Sequence, residues 1–217
     1  MKTLFIDSSK KSLSVALASQ NKLLFVSNVD TKSKHSNFLV NEIKEIISKS
    51  NLNIKEIDNI VVLNGPGSFT GIRVGVTVAK TLAWALSKKL YVVSNLRAIS
   101  LSSNNDIIIS VIKDKDDYSY VGIYSENNGI ENYISLNDEI FNFKDKNITI
   151  LAMEDSNYLN KLIDKLKVNN NVNTSLIEEY DYLKVINYAL SKPSINVHSA
   201  EPIYLKLIDA EKKNFDN

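Results

Sequence analysis

The chain has 217 residues, 26 Lys plus Arg against 25 Asp plus Glu, a net charge of +1, and no cysteine. Disulfides, thiolate catalysis and sulfur-ligated zinc are excluded, and the near balance of charge argues against a protein that works by coating nucleic acid or an anionic membrane. The length suits one large domain or two halves of roughly 100 residues each, able to bury a core without covalent staples.

Met1-Lys2-Thr3-Leu4-Phe5-Ile6-Asp7 holds an apolar run too short for a signal peptide, and no stretch reaches the ~20 apolar residues of a membrane span, so a cytoplasmic protein is expected. Leu4-Phe5-Ile6 reads as a buried strand, Leu13, Val15 and Leu17 alternate as in a strand with unlike faces, and residues 23–29 form a third strand after the turn Gln20-Asn21. Leu39, Ile43, Ile46 and Ile47 then fall at helical spacing, with Ser36 as the expected cap and Asn51 as the stop. Phe38 and Val40 stand beside that row and widen its apolar arc beyond what one sheet contact requires. Ile60-Val61-Val62-Leu63 is a strand broken by Gly65-Pro66-Gly67-Ser68, followed by a helix over about 70–87, a strand over 90–93 and a helix over 96–101.

The same order returns: strands over 107–112, 120–124 and 133–136, a short helical piece over 139–143, a strand over 148–151, and a helix behind a cap at Ser156. Leu176-Ile177 reads as a further strand, and residues 183–190 as a last helix that stops before Pro193. Both halves thus read β-β-β-α-β-α-β-α, a repeat of element order rather than of sequence. The expected fold is α/β, two mixed sheets flanked by helices. It resembles the duplicated ribonuclease-H-like architecture of the actin, sugar-kinase and chaperone ATPase superfamily. The halves divide into 1–103 and 104–217, with the final segment able to pack back on the first.

Four of the six glycines lie within residues 65–75. A glycine turn between a strand and a helix can cradle an anion on its free N–H groups, or it can permit close approach of backbones. The spacing fits neither the dinucleotide fingerprint nor a P-loop. Gly71, Gly75, Ala79 and Ala83 recur every four residues and favour close packing, within the chain or against a partner. Asp7 ends the first strand, where the ATPases of that superfamily keep a magnesium-linked carboxylate, but Ser8-Ser9-Lys10-Lys11 supplies no glycine for a phosphate loop. The two histidines, His35 and His198, have no metal-binding spacing, and Asp114, Asp116 and Asp117 read as a turn.

The opening Leu4-Phe5-Ile6-Asp7-Ser8-Ser9, His35-Ser36, the glycine segment and the ending Glu201-Pro202-Ile203-Tyr204-Leu205-Lys206 together resemble the TsaB family. These are subunits of the bacterial tRNA threonylcarbamoyladenosine machinery, formerly described as glycoprotease-like. The resemblance implies a non-catalytic partner without metal or cofactor of its own. The catalytic sister family, TsaD, carries a His-x-x-x-His pair that falls here on Asn95 and Ile99, and isoleucine cannot ligate a metal. It further implies pairing with a TsaD-like subunit through the two N-terminal helices, self-association through the same surface, and a TsaE-like ATPase as third subunit. Transfer of a threonylcarbamoyl group to the adenosine beside the anticodon, with tRNA bound only within the complex, follows from the same resemblance. The residues expected at the partner seam are Leu39, Ile43, Ile46, Ile47, Gly71, Gly75, Ala79 and Ala83. Lys206 departs from the arginine usual in the family. The competing readings are a small-molecule kinase or a metallopeptidase, and a tRNA-binding module. The last is opposed by the charge balance and the presence of only two arginines, and kept open by Lys10, Lys11, Lys32 and Lys34.

Overall fold

The computed structural model describes residues 1–206 apart from Ser33, Asp116 and Asn127. The chain forms two compact units, the first comprising Met1–Ala98 and Tyr180–Ile203, the second Ile99–Glu179 joined by the described residues from Tyr204.

In the first unit, β1 (Lys2–Asp7), β2 (Ser12–Ser19) and β3 (Lys22–Asp30) form an antiparallel meander. β4 (Asn59–Leu63) and β5 (Lys89–Val93) extend it in parallel, giving the order β3-β2-β1-β4-β5. β1 and β4 are continuous apolar runs because both of their faces are covered. Leu4, Ile6, Ile60 and Val62 lie under α1 (His35–Lys49) and α2 (Phe69–Ala85). Phe5 meets Tyr182 of α5 (Tyr182–Leu190) edge to face at 5.4 Å. The α5 helix, which element order assigns to the second half, therefore belongs to the first unit; Asp181 caps it through Lys184 N at 3.0 Å. α3 (Asn95–Ser100) follows β5. α1 begins one residue before the expected cap: Lys34 stands at its N-terminus without a side-chain cap, and Ser36 lies in the first turn.

The second unit repeats the sheet. β6 (Ile107–Lys113), β7 (Tyr118–Ser125) and β8 (Asn128–Ser135) are antiparallel, and β9 (Asn147–Ala152) and β10 (Asn171–Leu176) are parallel additions, in the order β8-β7-β6-β9-β10. α4 (Asn157–Lys167) packs Tyr158, Leu159, Leu162 and Leu166 on Ile109, Val111, Ile148 and Ile150. Ser156 Oγ accepts from Leu159 N at 3.0 Å, the cap expected there. Two strands are longer than hydrophobicity suggests. β8 and β10 are edge strands, mostly exposed, and their polar residues are held by ladder hydrogen bonds rather than by burial. The piece over 139–143 is a 3₁₀ turn, Glu139–Phe141. Asp114 and Asp117 flank the β6–β7 connection; Asp116 is outside the described residues.

Both sheets have the mixed five-stranded order of the ribonuclease-H-like unit, so the duplicated α/β architecture expected from element order is present.

Candidate functional site

The glycine segment folds back on the loop that follows β1. Gly65 has a φ of +113°, and a Cβ there would sit 2.9 Å from the Ile203 carbonyl oxygen. A Cβ on Gly67 would meet the Ser9 carbonyl oxygen at 2.7 Å, one on Gly71 the Ser8 carbonyl oxygen, and one on Gly75 the Ser8 hydroxyl. The glycines exist so that Ser8 and Ser9 can lie directly against the first two turns of α2.

Close approach also engages three of the N–H groups that an anion could have used. Ser68 N donates to Ser9 O at 2.7 Å, Gly71 N to Ser68 Oγ at 3.3 Å, and Gly65 N to Asn95 Oδ1 at 2.9 Å. Of the two readings of the turn, backbone packing accounts for the geometry.

Asp7 is fully buried beside this turn. Its Oδ1 accepts from Ser9 N at 2.8 Å and from Ser9 Oγ at 2.6 Å, and Lys10 Nζ lies 3.7 Å from Oδ2. Lys10 Nζ also sits 4.3 Å from the ring centroid of Tyr180. Burial pushes the Tyr180 phenol well above its ordinary pKa, and the charge on Asp7 pushes it the same way. Asn95 Nδ2 donates to Ser9 Oγ at 2.5 Å and to Tyr180 OH at 3.1 Å, while Asn95 N donates to Gly65 O at 2.8 Å. Asn95, on one of the two positions of the metal pair in the resembling enzymes, is thus occupied in holding three segments together, and Ile99, on the other, is 0% exposed. Among the described residues no group of three His, Asp or Glu could hold a metal ion.

The places where the chain leaves or enters the first unit close on the same turn. Asn95 bonds Gly65 just before the exit after Ala98, Tyr180 bonds Asn95 on re-entry, and Ile203 N donates to Asn64 O at 2.7 Å before the last exit. The Glu201-Pro202-Ile203 ending is a strap over the glycine turn, fixed also by Asn64 Nδ2 on Glu201 O at 2.9 Å and by Lys80 Nζ on Ala200 O at 2.9 Å. Beyond it, Lys206 Nζ reaches Asp114 Oδ2 at 2.7 Å and Tyr133 OH donates to the same oxygen at 2.5 Å. Lys206 and Asp114 form an ion pair.

The expected partner seam needs correcting. Leu39, Ile43, Ile46 and Ile47 on α1, and Gly71, Gly75, Ala79 and Ala83 on α2, are all buried within the first unit, facing its own sheet. The bare stripe serves Ser8 and the sheet, not a second molecule. The opposite faces of the same helices carry what a partner could touch: Phe38 and Val40 on α1, and Phe69, Arg73, Thr77, Thr81 and Trp84 on α2, with Val74, Val78 and Leu82 half-buried between. Trp84 is 66% exposed, Phe69 51% and Val40 46%. The widened arc at Phe38 and Val40 signalled this face. Phe69 and Trp84 carry no sequence signal of their own, because the small-residue stripe dominates the pattern of α2. The only sequence signal at Asn95 is its alignment with the metal pair, and the link between it and Tyr180 has no local sequence signal.

The fold and site define a duplicated ribonuclease-H-like protein whose glycine turn is closed upon its own first loop. The family model of tRNA N6-adenosine threonylcarbamoyltransferase, TsaD, matches residues 28–112. The tRNA threonylcarbamoyladenosine biosynthesis protein TsaB of Bacillus subtilis is 29% identical over 98% of this chain and 97% of its own length. Its namesake in Haemophilus influenzae is 32% identical over 45% of this chain and 41% of its own. A solved structure titled YeaZ from Pseudomonas aeruginosa has the same fold, with a TM-score of 0.71 at 17% identity over 94% of this chain and 100% of that one. The chain is thus similar to TsaB proteins, to one of them along nearly its whole length.

Proposed function

We propose that the chain is a non-catalytic, cytoplasmic subunit of the complex that places a threonylcarbamoyl group on the tRNA adenosine beside the anticodon. It docks on a TsaD-like transferase through the outward faces of α1 and α2. The observation that carries this reading is the pairing of a closed turn with an open helix face. The N–H groups of Gly65, Ser68 and Gly71 and the Oδ1 atom of Asp7 are engaged within the chain, whereas Phe38, Val40, Phe69 and Trp84 stand exposed on adjacent helices. An apolar face with aromatic anchors on a chain of this size is suited to burial against another protein. In isolation the same face pairs two copies of the chain, and a TsaE-like ATPase and tRNA join only the assembled complex.

The test is reconstitution with the cognate transferase. Co-elution in size exclusion, lost on Val40→Asp, is expected, together with transfer to tRNA only when both proteins are present. Threonylcarbamoyl transfer from its adenylate by this chain alone, or failure of the two proteins to associate, would overturn the reading. The kinase alternative finds no support at Asp7, whose carboxylate is shielded by Ser9, Lys10 and Tyr180.

A further inference from the structure

We infer that Arg73 selects the partner of the α1/α2 face: its guanidinium receives a carboxylate of the docked transferase, which a second copy of this chain does not offer. The inference rests on the function proposed above, which supplies the transferase. Arg73 is one of only two arginines in the chain, and it stands exposed one turn into α2. Its guanidinium carbon lies 3.7 Å from the centroid of the Phe69 ring, four residues earlier on the same helix face. Such a stack occupies the face of a guanidinium, while its five N–H donors lie in the plane, more than any one contact consumes. Phe69 therefore holds the fork in position before a partner arrives, and less side-chain freedom is lost on binding.

The surroundings of Arg73 call for an opposite charge from outside. α2 contains no Asp or Glu, and its other cation, Lys80, donates to the carbonyls of His198 at 3.2 Å and Ala200 at 2.9 Å. The rest of the outward face of α2, with Phe69, Thr77, Thr81 and Trp84, is uncharged. Both carboxylates of α1 are committed: Glu42 accepts from Ser27 Oγ at 2.6 Å, and Glu45 pairs with Lys49 at 2.6 Å. The first turns of the two helices hold no acidic residue, so the helix dipoles add to the positive field. A cation in an apolar face loses water when that face is covered, and a carboxylate on the covering surface offsets the loss.

This separates the two occupants of the face. Two copies meeting through α1 and α2 bring Arg73 no carboxylate from α2, and from α1 only groups already engaged. A transferase with an Asp or Glu opposite Arg73 forms a charge-assisted, bidentate pair shielded by the neighbouring aromatic rings, and the difference favours the mixed complex.

The experiment uses the full chain and the cognate transferase, with Arg73→Gln, Arg73→Lys and Arg73→Glu beside wild type. Titration calorimetry reads the affinity for the transferase, sedimentation equilibrium reads self-association, and thermal unfolding checks the fold. Arg73→Gln should weaken binding of the transferase about thirtyfold or more, with the unfolding midpoint and self-association unchanged. Arg73→Lys, which keeps the charge and loses the fork, should fall between, and Arg73→Glu should bind more weakly than Arg73→Gln. Wild-type affinity in Arg73→Gln overturns the inference. So does equal affinity of Arg73→Gln and Arg73→Glu, since no carboxylate then stands opposite, or an equal loss of self-association, since Arg73 then selects nothing. A transferase that does not bind wild type removes the proposed function and this inference together, whereas one that binds regardless of residue 73 removes this inference alone.

Discussion

The α-carbon of Gly71 faces the carbonyl oxygen of Ser8 so closely that a methyl group between them would overlap backbone. The contact joins the first loop of the chain to the first turn of α2, and it yields only if one of the two backbones moves. Alanine at position 71 gains about 1 kcal/mol of helix propensity. Overpacking a rigid site typically costs about 1–3 kcal/mol and more where backbone is the obstacle, so the clash should win. Gly75 is different, because its near neighbour is the Ser8 hydroxyl. Turning that hydroxyl away loses its 2.8 Å bond to Gly71 O, worth about 1 kcal/mol, which roughly offsets the gain in propensity. Denaturant titration should show Gly71→Ala clearly destabilised and Gly75→Ala within about 1 kcal/mol of wild type. Equal stability of Gly71→Ala and wild type would refute the packing role. Gly75→Leu, by the same geometry, should compromise the monomer itself rather than the partner seam alone.

The glycine stripe also shows where sequence suffices and where it does not. A four-residue recurrence announces that one helix face is bare, but the same pattern is produced by a foreign helix and by the chain's own loop. Only coordinates distinguish the two, since the Ser8 loop lies 63 residues away in sequence from the Gly71 carbonyl it bonds. Central strands were legible because burial on both faces forces unbroken apolar runs such as Ile60-Val61-Val62-Leu63. β10 was nearly invisible. Its Asn-Val-Asn-Thr-Ser-Leu is held in register by β9 and carries little hydrophobic signature of its own. The Asn95–Tyr180 bond spans 85 residues and depends on α5 returning to the first sheet, a placement that element order alone assigns elsewhere.

The two faces of α2 should separate stability from association. Trp84 is 66% exposed, so Trp84→Ala should leave the unfolding midpoint nearly unchanged. If the outer face docks a partner, truncating an aromatic anchor there costs about 2 kcal/mol or more of binding, some thirtyfold in Kd. Ala79 is 0% exposed and packs inward, so Ala79→Leu should lower stability by overpacking before any question of binding arises. Calorimetry of unfolding and of titration with the cognate transferase reads both quantities. A Trp84→Ala chain that binds like wild type would remove α2's exposed end from the interface.

Lys206 should tie the last described residues to the second unit in a pH-dependent way. Burial tends to raise the Asp114 carboxyl, but hydrogen bonds from Lys206 and Tyr133 outweigh it and hold the group below its ordinary range. A depressed carboxyl contributes stability above its unfolded pKa and loses it as pH falls through the folded value, so the anchor should weaken only in acid. Tyr133 behaves in the opposite sense. Burial, and then donation to Asp114, push its phenol up to about 12, so its contribution holds below the ordinary value of 10.0 and fades as pH rises through 12. Between these limits the contact is intact, and its net worth is modest because Lys206 and Asp114 are 31% and 26% exposed. Lys206→Arg should preserve it, since a guanidinium can engage the same carboxylate. Ultraviolet difference titration should place the Tyr133 midpoint near 12 in wild type, lower in Asp114→Asn, where no charged acceptor opposes loss of the proton. An unchanged midpoint in Asp114→Asn would mean that burial alone sets the phenol and that the carboxylate does not hold it.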